Sequence, residues 1–302
     1  MASSSPAPGT DTPRLTAADT ARYREKVEEA AAFLRDRVSL PAVTVVAQHE
    51  LGLADAKAVD TTIPYAEIPH LPVLPDPSAP SAGAGDTEGR DSSRGALRVG
   101  SVDGSRVALL DGPPSLLDGA SPRAVTFPMR VLAVLGMEVL VVVTSAVGLD
   151  PDHREGDLLL VTDHINLQGS NPLVGPNVDD WGPRFPDMSN PYDPDLRRRL
   201  ADGALAAGTP LHKGIYLAVA GPEAPTAAEA RMHRTLGADV VGTTLVPETL
   251  VARHMSVRVA GLAVLDAVAR PEAPASPGPG SRSPDDPRSA AASLLRRFIR
   301  SA

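Results

Sequence analysis

KGIYLAVAGPEAPTAAEARMHRTLGADVVGTTLVPETLVARHMSVRVAGLAVLDAVA, residues Lys213–Ala269, reads as strand, loop, helix, strand, helix, strand. Ile215–Ala220 is a short apolar run that stops at Gly221-Pro222, a dipeptide that cannot readily continue a ladder. Thr226 with Glu229 three residues on has the spacing of a capping box, which places a helix start there. Gly237 ends that helix, Val240-Val241-Gly242 forms a second strand, and Pro247 with Glu248 opens another helix. Val257–Leu265 is apolar throughout, as expected of a strand covered on both faces. Strands alternating with helices at this spacing predict an α/β domain with a mixed, largely parallel central sheet flanked by helices.

Working outward, 302 residues suffice for one large α/β core with loose ends. A net charge of −8 argues against a nucleic-acid or anionic-membrane partner, and aromatics at 3% with a single Trp argue against base-stacking platforms. The absence of Cys removes disulfides, thiolate catalysis and Cys metal sites together. No apolar run approaches the length of a membrane span and no signal pattern opens the chain, so a cytoplasmic protein is expected.

Residues 1–16 form a Ser/Pro/Thr-rich tail expected to be disordered. The main domain covers 17–269. It opens with an amphipathic helix over Ala17–Val38, carrying Tyr23, Val27, Ala30, Phe33 and Leu34 at helical spacing, and continues to a strand at Val43–Ala47. Leu74–Arg94 has no apolar period and reads as a mobile insert; Val99–Leu110 is a hairpin about Asp103-Gly104. Val125–Leu135 reads as a helix, Leu140–Val143 as a buried strand, Thr144–Leu149 as a loop and Arg197–Ala207 as a helix. Residues 270–288 are a Pro/Ser/Gly linker, and 289–302 carry a short basic helix, expected to be solvated.

GIYLAVAGP, TAAEARMHRTLGADVVG and VPETLVARHMSVRVAG, with GDLLLVTDHINLQGSNPLVGPN at Gly156–Asn177 and RFPDMS at Arg184–Ser189, resemble the purine nucleoside phosphorylases of the trimeric, inosine/guanosine-type form, relatives of the methylthioadenosine phosphorylases. The resemblance runs over roughly Ala17–Ala269. It implies phosphorolysis of the N-glycosidic bond of purine nucleosides, giving base and ribose 1-phosphate, with phosphate as co-substrate and no other cofactor or metal. It also implies a homotrimer.

Position by position, the resemblance implies a site with many replacements. Where the family carries a GSGLG-type phosphate loop, this chain has Gln48-His49-Glu50-Leu51-Gly52, with His49 at the serine and Glu50 at a glycine. A carboxylate there repels phosphate. Ser93 stands at a phosphate-contacting histidine. The family's Gly-Arg-Phe-His run is Gly112-Pro113-Pro114-Ser115, so the bidentate arginine is Pro113, and Leu117 takes a tyrosine position. The TNAAGGL loop becomes Thr144–Leu149, with Ser145 at the asparagine and Ala146 kept. In the nucleoside region Ala224 replaces an aromatic wall, Pro225 the purine-gripping glutamate, and Thr243 and Thr244 a Met-Ser pair. Asp266-Ala267 stands for Thr-Asn, and no His follows His254 to meet the ribose. Trp181 stands where an aromatic is expected to reach a neighbouring subunit's pocket.

Several residues keep two readings. Asp266 and Glu223 are candidate catalytic carboxylates, or a strand-end and a loop carboxylate. His49-Glu50 is an acid/base pair or a solvent-facing loop pair. Asp163-His164 reads as scaffolding and Asp152-His153 as a surface turn, while His212, His233 and His254 lack the spacing of a metal site. The expectation is a purine nucleoside phosphorylase fold with weak or absent phosphorolysis. Two alternatives stand beside it. One is a catalytically inactive scaffold or regulatory subunit assembling with an active paralogue. The other is a nucleoside-processing enzyme turned to hydrolysis or to a natural-product step. The expected ligand in each enzymatic case is a purine nucleoside or base.

Overall fold

The computed structural model describes residues 15–47, 53, 58–72, 95–269 and 287–301. The tail through residue 14, the insert 74–94, the linker 270–286, and with them His49, Glu50 and Ser93, lie outside the described residues.

Helix α1, Ala17–Arg35, starts where Thr16 and Asp19 close a reciprocal capping box, and it buries Val27, Ala30, Ala31 and Leu34 at helical spacing. Strands β1 (Val43–Ala47), β2 (Val59–Pro64), β3 (Ala96–Val102) and β4 (Ser105–Asp111) follow, β3 and β4 turning through Asp103-Gly104 as expected. Two helical pieces, α2 (Pro122–Val125) and α3 (Phe127–Val134), replace the single expected helix. The break falls at Thr126, just ahead of Pro128, whose ring nitrogen has no N–H to give the turn before it.

Strand β5 runs through Val139–Gly148 and so absorbs all but Leu149 of the expected loop at Thr144–Leu149, because β9 pairs with it to the end. Then come β6 (Leu158–Asn166), α4 (Pro194–Ala207), β7 (His212–Ala218), α5 (Ala227–Thr235), β8 (Val240–Gly242), α6 (Val246–His254), β9 (Arg258–Val268) and α7 (Pro287–Ser301). Asp193 caps α4 by accepting from the N–H groups of Asp195 and Leu196, and Arg258 clamps the same carboxylate at 2.8 and 2.9 Å. That arginine holds the Asp193 carboxyl down to about 2.

The sheet order is β2-β3-β4-β1-β5-β8-β7-β6-β9, and β9 also pairs with β5. Strands β5, β8, β7, β6 and β9 therefore close a ring, and β1 to β4 extend from it. Pairings β1–β4, β1–β5, β5–β9, β6–β7 and β7–β8 are parallel and the rest antiparallel, which is the mixed, largely parallel sheet expected.

Alternate residues of β5 face opposite ways. Leu140 and Val142 join α1, α3 and α6 in one core, while Val139, Val141 and Val143 join α4 and α7 in the other. Helix α7 is thus a correction to the sequence reading. Its Ala291, Leu294, Leu295, Phe298 and Ile299 are buried, while Ser289, Ser293, Arg297 and Arg300 meet solvent. The hydrophobic spacing of those five positions is that of a core-facing helix.

Candidate functional site

The site is built where β5 changes partners. On one side it pairs with β1 as far as Ala47 opposite Val143; on that same side β8 takes over only at Val147. Between them, Thr144, Ser145 and Ala146 keep their ladder to β9 but have no strand on the other flank. A crevice at such a switch point, outside the carboxyl ends of parallel strands, is where α/β sheets present backbone groups to ligands.

Residues Thr243 and Thr244, between β8 and α6, border this crevice. The Thr244 and Thr144 hydroxyls lie 2.6 Å apart, and Thr144 also reaches the Ser145 carbonyl at 3.1 Å. The Tyr216 hydroxyl on β7 accepts from the Thr244 N–H at 3.3 Å. Complete burial pushes the Tyr216 hydroxyl up to about 12, so it stays protonated. Gly242 makes room for it, since a Cβ there would stand 2.2 Å from the Tyr216 oxygen. Gln168, in the turn after β6, donates from Nε2 to the Thr243 carbonyl at 2.8 Å.

Ser145, Ala146, Thr243 and Thr244 stand on or beside the crevice, whereas Ser115 caps a 3-10 turn, accepting from the Leu117 N–H while its own N–H goes to Asp118. Leu117 reaches the loop after β7: a Cβ on Gly221 would meet Thr243 and Leu117 at 2.7 and 3.0 Å. In that loop Glu223 is exposed, Ala224 packs on a small apolar cluster with Leu217 and Val241, and Pro225 is buried ahead of the Thr226 cap.

Asp266 belongs inside β9 rather than after it. Ala146 faces Leu265 and Val147 faces Ala267, so Asp266 is the extra residue of a β-bulge, exposed and directed out of the ladder. Bulges re-aim side chains in this way and gather next to active sites.

Trp181 is placed within its own chain. It meets Tyr23 edge-on at 6.0 Å and takes the Arg130 guanidinium over its face at 4.7 Å. Arg130 is buried and donates to His254 Nδ1 at 2.9 Å; the ring therefore carries its proton on Nε2 and donates it to Asn177 at 3.0 Å. Burial first, and the Arg130 charge second, hold His254 down to about 4. In the same loop Phe185 is 85% exposed, with the Arg184 guanidinium over its ring. His153, expected at the surface, is buried against Gly148 and the His212 ring. His164 hydrogen-bonds Tyr192 at 3.0 Å, and burial lowers its pKa.

Sequence reading did not single out Tyr216, Thr144 and Gln168, which hold Thr243 and Thr244 beside the crevice. Tyr216 had a signal: it is the one side chain with a polar atom in an otherwise apolar run, so its hydroxyl needed a partner.

Residues 65–300 match the family model of the phosphorylase superfamily. The chain is 39% identical over 244 residues to purine nucleoside phosphorylase 1 of Bacillus subtilis, covering 80% of this chain and 85% of that one. It is 36% identical over 249 residues to the purine nucleoside phosphorylase of Bos taurus, covering 80% and 81%. The crystal structure of Schistosoma mansoni purine nucleoside phosphorylase in complex with inosine superposes with a TM-score of 0.73 at 29% identity, covering 92% of this chain and 95% of that one. The ring of strands and these likenesses lead to one conclusion: this chain belongs to the purine nucleoside phosphorylase family.

Proposed function

We propose that the crevice beside Thr144–Ala146 takes a purine nucleoside or its base, and that phosphorolysis there is far slower than in an ordinary phosphorylase. In that reaction the bond from C1′ to the base nitrogen breaks, a phosphate oxygen bonds to C1′, and the departing base takes up a proton. Phosphate needs charge-assisted donors, each contributing about 1.5–3 kcal/mol. The observation that carries the reading is the chain's own filling of the anion region. By the family resemblance, Pro113 and Ser115 take the places of an arginine and a histidine, and the Thr244 hydroxyl lies 2.6 Å from that of Thr144. Inosine with phosphate should give a turnover at least about a hundredfold below the median enzyme rate of roughly 10 per second. An ordinary rate in a coupled hypoxanthine assay would sink the reading.

Asp266 favours a second reading, in which water replaces phosphate. The bulge directs this carboxylate outward at the end of the strand that borders Ala146. It would accept a proton from water, or give one to the departing base. Ribose released from inosine without phosphate, and lost in Asp266→Asn, is the outcome that would select it.

For the assembly, we infer a homotrimer in which Phe185 rather than Trp181 enters the neighbouring subunit. Trp181 is spent on Tyr23 and Arg130, whereas Phe185 offers nearly its whole ring. Light scattering should give three times the 31.3 kDa chain mass, and Phe185→Ala should shift the population to lighter species. A wild-type monomer would remove this inference.

A further inference from the structure

Arg130 of α3 is a buried guanidinium, 6% exposed, and among the described residues no carboxylate pairs with it. Burying an arginine without a counter-charge is costly, so packing alone does not account for one here. Two neutral contacts hold it, and both lead to one turn. Nη1 donates to His254 Nδ1 at 2.9 Å, and the guanidinium lies 4.7 Å from the centre of the Trp181 ring.

A guanidinium only donates, so it sets the direction of every bond beyond it. His254 must present its Nδ1 lone pair and carry its proton on Nε2, which donates to Asn177 Oδ1 at 3.0 Å. With its oxygen so occupied, Asn177 turns Nδ2 to the Asp179 carboxylate at 2.8 Å and to the Gly182 carbonyl at 2.9 Å. One cation on α3 thus orders a chain of donors that ends around the 3-10 turn Asp179–Trp181. The turn has no slack beneath it, since a Cβ on Gly182 would run into the His254 carbonyl oxygen. From α1, Arg24 holds Asp180 at 2.7 Å. Just beyond Gly182 the chain presents the exposed ring of Phe185.

We propose that Arg130 is the positioning residue of this turn: through His254 it fixes the Asn177 amide, through its own face it seats Trp181, and it thereby sets where Phe185 stands. The consequence for assembly rests on Phe185 entering a neighbouring subunit, as proposed above; the ordering of the turn does not.

The test compares the full-length wild type with Arg130→Lys, Arg130→Met and Asn177→Asp. Lysine keeps a charge and a donor beside the Trp181 ring, whereas methionine keeps only an apolar stem. Aspartate has the shape of Asn177 and still accepts from His254, but it donates to nothing. Asn177 is only half-buried, so this variant decides the matter even if methionine at 130 prevents folding. Trp181 is the single tryptophan of the chain, and its emission therefore reads the turn directly. Methionine at 130 and aspartate at 177 should both shift that emission to the red. Both should speed hydrogen exchange of the peptide 177–186 roughly 10- to 100-fold and leave the β9 peptide 258–265 unchanged. Lysine should recover most of the wild-type emission and protection. Asn177→Asp exchanging like wild type, lysine doing no better than methionine, or 258–265 accelerating as much as 177–186 would each overturn the proposal.

Light scattering of Asn177→Asp reads the assembly side, where lighter species than in the wild type are expected. A trimer unchanged in this variant would remove the consequence for assembly. If the wild type is itself a monomer, the trimer reading fails, while emission and exchange still decide the role of Arg130.

Discussion

Phe298→Ala should lower the unfolding free energy by about 3–5 kcal/mol, the range for deleting a fully buried aromatic ring. Phe298 is 1% exposed, stands beside Leu294 and Leu295, and carries the Arg199 guanidinium of α4 over its ring at 5.2 Å. The surrounding side chains come from α4 and the sheet, which cannot collapse onto the void without moving the strands. Arg297→Ala, on the exposed side of the same helix, should stay within about 0.5 kcal/mol of wild type. Urea midpoints at constant slope provide the comparison. Equal midpoints for the two variants would mean that α7 does not belong to the core in solution.

The second large effect is a pH dependence centred on Glu248. Burial raises its carboxyl from 4.5 to about 7. The unfolded chain therefore loses this proton near pH 4.5 while the folded chain keeps it to about 7. Stability from this group is fully present below 4.5 and falls as pH rises to 7, by about 3 kcal/mol. His254 acts in the opposite sense. Its pKa is held down from 6.5 to about 4, so its contribution is present above 6.5 and lost as pH falls toward 4. Between about 4.5 and 6.5 the two slopes oppose each other, and the wild-type profile should be nearly flat there. Glu248→Gln removes one of them. Relative to wild type the variant should gain about 3 kcal/mol at pH 8 over its position at pH 4, and its own profile should fall on acidification. A wild-type-to-variant difference that is constant with pH would refute the assignment.

How much of this was legible in the sequence follows from what each inference needed. Thr226 and Glu229, four residues and one hydrogen-bond rule, located α5 to the residue. The Asp103-Gly104 dipeptide located its hairpin in the same local way. The end of β5 was not local. Thr144-Ser145-Ala146 has loop-forming composition, and only β9, more than a hundred residues on, makes it strand. The position of Asp266 failed for the same reason, because a bulge is a property of two strands and not of one. In α7 the signal was present, since positions 291, 294, 295, 298 and 299 share a face, but the three arginines of the stretch drew the reading toward solvent. Glu248 was read as a helix-opening acid, which it is; that it is buried three residues after a strained Leu245 depends on burial and φ angles no sequence displays.

The ring of strands has a temporal consequence. Its last member, β9, pairs with both β5 and β6, and β9 ends at Val268. During synthesis β5 and β6 must therefore wait, with edges unpaired, for roughly a hundred further residues to emerge. Closing so long a loop is slow, and waiting edges are templates for association with other chains. The segment Thr144–Ala146 gains its strand partner only when that last strand arrives, so it waits unpaired until the chain has been made as far as Val268.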